Sequence, residues 1–85
     1  MKKKYKKGYT QGVFDMFHIG HLNILNHAKE YCEYLIVGVN ADELVQEYKH
    51  KIPVINEVER AEIVRNIKAV DEVVIVRGNI EIVSF

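Results

Sequence analysis

Eighty-five residues make one domain with room for one modest core. Hydrophobic residues are 48% of the chain and charged residues 28%, the balance of a soluble globular domain, and a net charge of zero removes any global electrostatic case for nucleic acid. One cysteine, Cys32, excludes an internal disulfide, and no apolar run approaches the roughly 18 residues needed to span a membrane.

The chain opens on a lysine run, Lys2–Lys7, without the apolar stretch of a signal peptide, so a cytoplasmic protein is the simplest expectation. Such runs are usually solvated, frayed termini; the functional alternative is attraction of a polyphosphate. A first strand is expected around Lys7–Gly12. Its sequence, KGYTQG, has poor strand propensity, and connectivity rather than composition places it there. The segment Gly12–His21, GVFDMFHIGH, then turns into a helix expected over Ile19–Cys32, with Leu22, Leu25, Ala28 and Cys32 as its apolar stripe. Tyr34–Asn40 (YLIVGVN) is nearly continuous in β-formers and reads as a buried strand. A short helix near Ala41–Gln46 follows. Gln46–Asn56 holds the only proline, Pro53, with Lys49, His50 and Lys51, and reads as a loop over the sheet edge. Glu57–Ala69 places Val58, Ala61, Val64 and Ile67 at helical spacing behind an Asn56 N-cap, with Glu59 three residues on. Asp71–Val76 (DEVVIV) closes the series as a strand.

Buried strands alternating with amphipathic helices predict an α/β fold, a Rossmann-like parallel sheet with flanking helices, built by a single domain over residues 1–85. Ligands of open parallel sheets sit outside the carboxyl ends of the strands. Two segments meet that condition: the GVFDMFHIGH turn and the Asn40–Asp42 exit from the second predicted strand.

His18 and His21 stand three apart at the opening turn of a helix, a spacing that brings both imidazoles towards one side. Gly20 between them has no side chain, so a ligand can approach the backbone there. The helix N-terminus adds unpaired N–H groups and a dipole that favours anions. Two imidazoles beside such a terminus suit a triphosphate, donating to non-bridging oxygens as charge builds in phosphoryl-type transfer. Zinc is the competing use of two histidines, but no third and fourth ligand stand out, and Cys32 is expected about three helical turns away; no protein-held metal site is expected. Simple capping or packing is the use favoured for a lone HxxH.

The longer string GxFDxxHxGH, after a strand and opening a helix, resembles the nucleotidyltransferase superfamily that includes the cytidylyltransferases. The resemblance runs from about Lys7 to Val76 and is nearest to the enzymes acting on glycerol 3-phosphate, phosphocholine and phosphoethanolamine. It takes in LNILNHAKEYCEYLIVGVNADEL and the arginine of NEVERAEIVRNIKAVDEVV. The flanking residues do not resemble the much larger class I aminoacyl-tRNA synthetases, which also carry HIGH.

That resemblance implies a nucleotidyltransferase fold and transfer of a cytidylyl group from CTP, with Mg²⁺ accompanying the nucleotide, to a small phosphorylated alcohol, glycerol 3-phosphate first. The acceptor attacks the α-phosphate directly and pyrophosphate leaves. His18 and His21 would contact the phosphates. Gly12, Val13 and Phe14 match the turn against the nucleotide, followed by Asp15, with a structural or a catalytic role. Lys49 or Lys51 would serve the phosphates, with Lys49 slightly favoured. Arg60 would lie near the acceptor phosphate or support the site's architecture, and a solvated helix residue is its bland alternative. Lys68 precedes VDEV, a segment that in the family often contributes to a homodimer interface; a homodimer is therefore expected. Relatives continue past this chain into a region that holds the base and ends in an RxxxxST element. Nothing in Arg77–Phe85 resembles it, so the chain reads as truncated. Adenylyl transfer on the same fold, as in heptose-phosphate or pantetheine-phosphate enzymes, and a non-catalytic nucleotide-binding or dimerising fragment are the alternatives; Met16 after the FD pair argues against the pantetheine type.

Overall fold

The computed structural model describes residues 3–77. The elements run β1 (Tyr5–Gly12), α1 (Ile19–Lys29), β2 (Cys32–Asn40), α2 (Asp42–Lys49), α3 (Glu57–Arg65) and β3 (Glu72–Val76). The strands form a parallel sheet in the order β1-β2-β3, with Tyr9 beside Ile36 and Gly38 beside Val74. The predicted α/β fold is therefore present. β2 lies between two neighbours, which is why its sequence is the most continuously apolar of the three.

Both crossovers step across the sheet in the same direction, and right-handed crossovers then put their helices on the same face. Leu35, Val37 and Val39 of β2 meet Leu25 of α1 and Ala61 and Val64 of α3 in one core, with Phe14 and Val70 closing its ends. The residues that alternate with these occupy the opposite face, where Tyr9, Tyr34 and Val74 are 46%, 37% and 38% exposed. One face of the sheet is packed by α1 and α3; the other is half exposed at Tyr9, Tyr34 and Val74, and only at its carboxyl end does Asn40 bond Tyr48 of α2.

Several boundaries differ from expectation. β1 starts at Tyr5 rather than Lys7 and forms despite its composition because β2 supplies its ladder. A side chain at Gly8 would put its Cβ 2.8 Å from Cys32 Sγ, so the glycine that lowers strand propensity lets the two strands approach there. α1 ends at Lys29, not Cys32. The amides of Glu30 and Tyr31 turn back to His27 and Ala28, and Tyr5 N–H then bonds the Tyr31 carbonyl to start the sheet. Cys32 is the first residue of β2, buried, with its Sγ 3.6 Å from the Ala28 carbonyl. It is apolar and inward in either assignment, so periodicity could not separate them. α2 runs three residues past the expected Gln46, and the loop begins only at His50, whose left-handed φ of 58° ends the helix. α3 ends at Arg65, and Ile67, Ala69 and Val70 pack from the turn beyond it rather than from a helix. Val58 is 65% exposed, and the inward position near it belongs to Arg60. Asn56 does cap α3, accepting from Glu59 N–H at 2.9 Å.

Candidate active site

The GVFDMFHIGH turn leaves the carboxyl end of β1 and enters α1. Phe14 and Met16 take left-handed φ angles of 55° and 50°, a conformation that folds the segment back on itself and costs about 1 kcal/mol or more at each non-glycine residue. Phe14 compensates by burying its ring in the core, and Gly12 makes room for it: a Cβ there would lie 3.0 Å from Phe14 Cε2. The Phe14 and Phe17 rings sit 5.6 and 5.3 Å from the His21 imidazole and wall it on two sides.

His18 is the N-cap of α1 and forms a reciprocal capping box with His21. Its Nδ1 accepts from Gly20 N–H at 3.0 Å, and its own N–H donates to His21 Nδ1 at 3.1 Å. A backbone N–H only donates, so Nδ1 of each ring is the unprotonated nitrogen and the neutral form carries its proton on Nε2. Capping and phosphate donation, read from sequence as alternatives, are thus compatible: one nitrogen of each ring caps and the other stays available. The rings lie 4.1 Å apart and 30° from coplanar. Burial and the neighbouring His18 hold the His21 imidazole below its ordinary pKa, partly opposed by Asp15, which favours the neutral ring. Gly20 serves this arrangement directly, since a Cβ there would sit 2.8 Å from His18 Cε1. Its empty side is taken up by the His18 ring, rather than left open to a ligand as the sequence suggested.

Asp15 accepts Val54 N–H and Ile55 N–H at 2.8 and 2.9 Å. Burial pushes its carboxyl up, but these two bonds, the Arg60 charge and the Met16 amide outweigh it and hold the pKa below the ordinary 3.8. The bonds reach the loop after α2, not only the turn itself. Arg60 is fully buried. Its Nε donates to the Ile55 carbonyl, its Nη1 to those of Val13 and Asn40, each at 2.7 Å, and its Nη2 to Asp42. This corrects both the contact with an acceptor phosphate and the solvated helix residue. Arg60 ties the ends of β1 and β2 to the loop, which is the architectural role.

A cleft of about 490 Å³ opens at the carboxyl end of the sheet. Gly12, Val13, Phe14, Asp15 and His21 line one part of it, and both Lys49 and Lys51 line another. His18 and Gly20 are outside the lining, three residues and one residue before His21. Lys68 is exposed in the turn after α3, and nothing brings it to the cleft. Among the described residues no group of three or more His, Cys, Asp or Glu is placed to hold a metal ion.

Residues 9–82 match the cytidylyltransferase-like family. The chain belongs to that family. An FAD synthase from Thermococcus sibiricus is 45% identical over 78 residues, covering 92% of this chain and 53% of the relative. The bifunctional protein HldE of Hyphomonas neptunium is 39% identical over 71 residues, covering 82% of this chain and 15% of that protein. The crystal structure of a lipopolysaccharide core biosynthesis protein from Thermoplasma volcanium superposes with a TM-score of 0.78 at 31% identity, over 87% of this chain and 58% of the other. The chain thus spans about half the length of the FAD synthase it matches. What the family match shows for this chain is a cytidylyltransferase-like domain. No described helix is long and apolar enough to cross a membrane.

Sequence reasoning missed part of the lining. Gln11 donates to Asn40 Oδ1 at 2.8 Å, Asn40 donates to the Tyr48 hydroxyl at 2.9 Å, and Tyr9 donates to Gln11 Oε1 at 2.9 Å. This chain of bonds joins β1, β2 and α2 below the cleft of the cytidylyltransferase-like domain. The place of Asn40 at a strand exit was its only signal. Ile24, Val45, Ile52 and Val54 also line the cleft, and apolar residues of that kind read as core or loop until a fold positions them.

Proposed function

We propose that this domain binds a nucleoside triphosphate against the Gly12–Asp15 turn and passes its nucleotidyl group to a phosphorylated small molecule. A phosphate oxygen of the acceptor forms the new bond to the α-phosphorus, the bond to the bridging oxygen breaks, and pyrophosphate leaves. The observation that carries this reading is the His18–His21 capping box, which leaves an Nε2–H donor on each ring at a helix N-terminus. Lys49 and Lys51 supply positive charge across the cleft for the phosphates. Arg60, Asp15 and Gly12 keep the turn and the loop in place. The described residues offer no carboxylate cluster for Mg²⁺, and Asp15 has both oxygens on backbone amides, so the ion fits as a companion of the triphosphate rather than of a protein cage.

Two nucleotides are in play. The motif resemblance supports CTP with glycerol 3-phosphate. The FAD synthase relative supports ATP, because its product contains an adenylyl group. We favour the adenylyl reading on the strength of that identity. The reaction belongs with cytoplasmic nucleotide pools, and a homodimer is part of the same proposal.

Calorimetric titration with CTP and ATP, each with and without Mg²⁺, tests the nucleotide. Selective ATP binding that disappears in His18→Ala supports the adenylyl reading, and selective CTP binding restores the cytidylyl one. Binding of neither overturns both for this chain. Pyrophosphate release with glycerol 3-phosphate, phosphocholine, phosphoethanolamine, a heptose phosphate and FMN then ranks the acceptors.

A further inference from the structure

We propose that Gln11 is a ligand-binding residue of the cleft, giving an amide N–H to a phosphate oxygen of the bound nucleotide, and that Tyr9 is the positioning residue that aims it. The inference rests on the reading that the cleft receives a nucleoside triphosphate, and it adds a donor that carries no charge. Gln11 stands one residue before the end of β1 and lines the cleft together with His21, Lys49 and Lys51. Its Oε1 accepts from the Tyr9 hydroxyl, and one hydrogen of its Nε2 goes to Asn40 Oδ1. A carboxamide nitrogen carries two hydrogens, and the second has no partner among the described residues.

The carboxamide is held from both sides. Gly38 interrupts the apolar run of β2, and the tip of the Tyr9 ring takes the space this leaves. A Cβ at Gly38 would run into the Tyr9 hydroxyl and lie 3.0 Å from Tyr9 Cζ. Burial pushes the Tyr9 phenol above its ordinary pKa of 10.0, so it keeps the proton that it donates to Gln11. On the other side Asn40 is 6% exposed, and its own amide is fixed on the Tyr48 hydroxyl. A donor that is already oriented gives up little freedom on binding. Lys49 and Lys51 are point charges on flexible stems, which attract an anion at a distance with little choice of direction. The Gln11 amide acts only in contact and along one direction.

The test is calorimetric titration with ATP and CTP, each with Mg²⁺, and with tripolyphosphate, at low and at high salt. Gln11→Met should weaken binding about tenfold at either salt concentration, whereas the effect of Lys49→Met should shrink at high salt. Gln11→Glu removes the donor and keeps the chain of bonds. One carboxylate oxygen accepts from Tyr9, the other from the Asn40 amide once that carboxamide turns over, and the Tyr48 hydroxyl then donates to Asn40 Oδ1. Its melting point should hold while affinity falls by about tenfold or more. Tyr9→Phe keeps the ring over Gly38 and should cost about threefold in the parent chain and nothing further beside Gln11→Met. In the parent, one Gln11 side-chain amide proton should shift on saturation, a nuclear magnetic resonance readout that needs no variant. An unmoved amide pair, or full affinity in Gln11→Met, overturns the assignment of Gln11 while nucleotide binding by the parent keeps the nucleotidyl-transfer reading. A Tyr9→Phe loss that persists beside Gln11→Met overturns the positioning role. If tripolyphosphate binds through Gln11 while neither nucleotide binds, the donor stands and the transfer reading fails. Binding of none of the three overturns both.

Discussion

His18 caps α1 with one ring nitrogen and, in the proposed reading, donates to a phosphate with the other, and the two roles can be separated. His18→Ala removes both the cap and the Nε2–H donor. We expect transfer to fall by about 10²–10³-fold and stability by about 1 kcal/mol. His18→Asn keeps a good capping side chain and should recover most of the stability but not the turnover, measured by urea midpoint and pyrophosphate release. His21 contributes a pH dependence of known sign. Its folded-state pKa lies below the ordinary 6.5, so in acid the unfolded chain binds a proton that the folded chain resists. Its contribution is complete above about pH 6.5 and is lost as pH falls through the folded-state value. Urea midpoints between pH 5 and 8 should show that slope, and His21→Asn should flatten it. Arg60→Met leaves the Val13, Asn40 and Ile55 carbonyls and Asp42 without their buried donor, and we expect a loss of about 3–5 kcal/mol in denaturant melts. Lysine should rescue little, because one ammonium cannot reach four acceptors placed for a planar fork. The pair of histidines was legible from spacing. The fate of Arg60 was not, because nothing local in NEVERAEIV says that the carbonyls at the distant ends of β1 and β2 converge on it.

The turn after β1 and the loop after α2 behave as one unit, joined by Asp15. Its carboxyl is held below its ordinary pKa, so the clamp is complete above about pH 4 and is lost as the pH falls through the lower folded-state value. Asp15→Asn keeps one acceptor oxygen and loses the charge. We expect trypsin to cut after Lys49 and Lys51 several-fold faster in that variant at neutral pH, with the melting point little changed. The existence of β2, β3 and α3 was legible, because the apolar runs of the two strands and the Asn56 cap are local signals, whereas β1 had to be placed by connectivity and motif. Element ends were not. Cys32 satisfies a helix stripe and a strand start equally well, and α2 runs on to Lys49, past the point where Tyr48 accepts a hydrogen bond from Asn40 of β2.

At the scale of the molecule, α1 and α3 crowd one side of the sheet and leave Tyr9, Tyr34 and Val74 half exposed on the other. If the proposed homodimer forms through this face, Val74→Lys should reduce self-association in sedimentation with little change in melting point, since the side chain is 38% exposed and outside the core. The order β1-β2-β3 has a further consequence, for the exchange of amide hydrogens with solvent. β2 has a neighbour on each flank, so its amides should exchange only through global opening and report the stability of the domain. β1 has one neighbour among the described strands, and the amides on its outer flank should exchange many times faster. Those fast amides form a built-in gauge: any chain that pairs with β1 must slow them, strand residue by strand residue, while leaving β2 as it was.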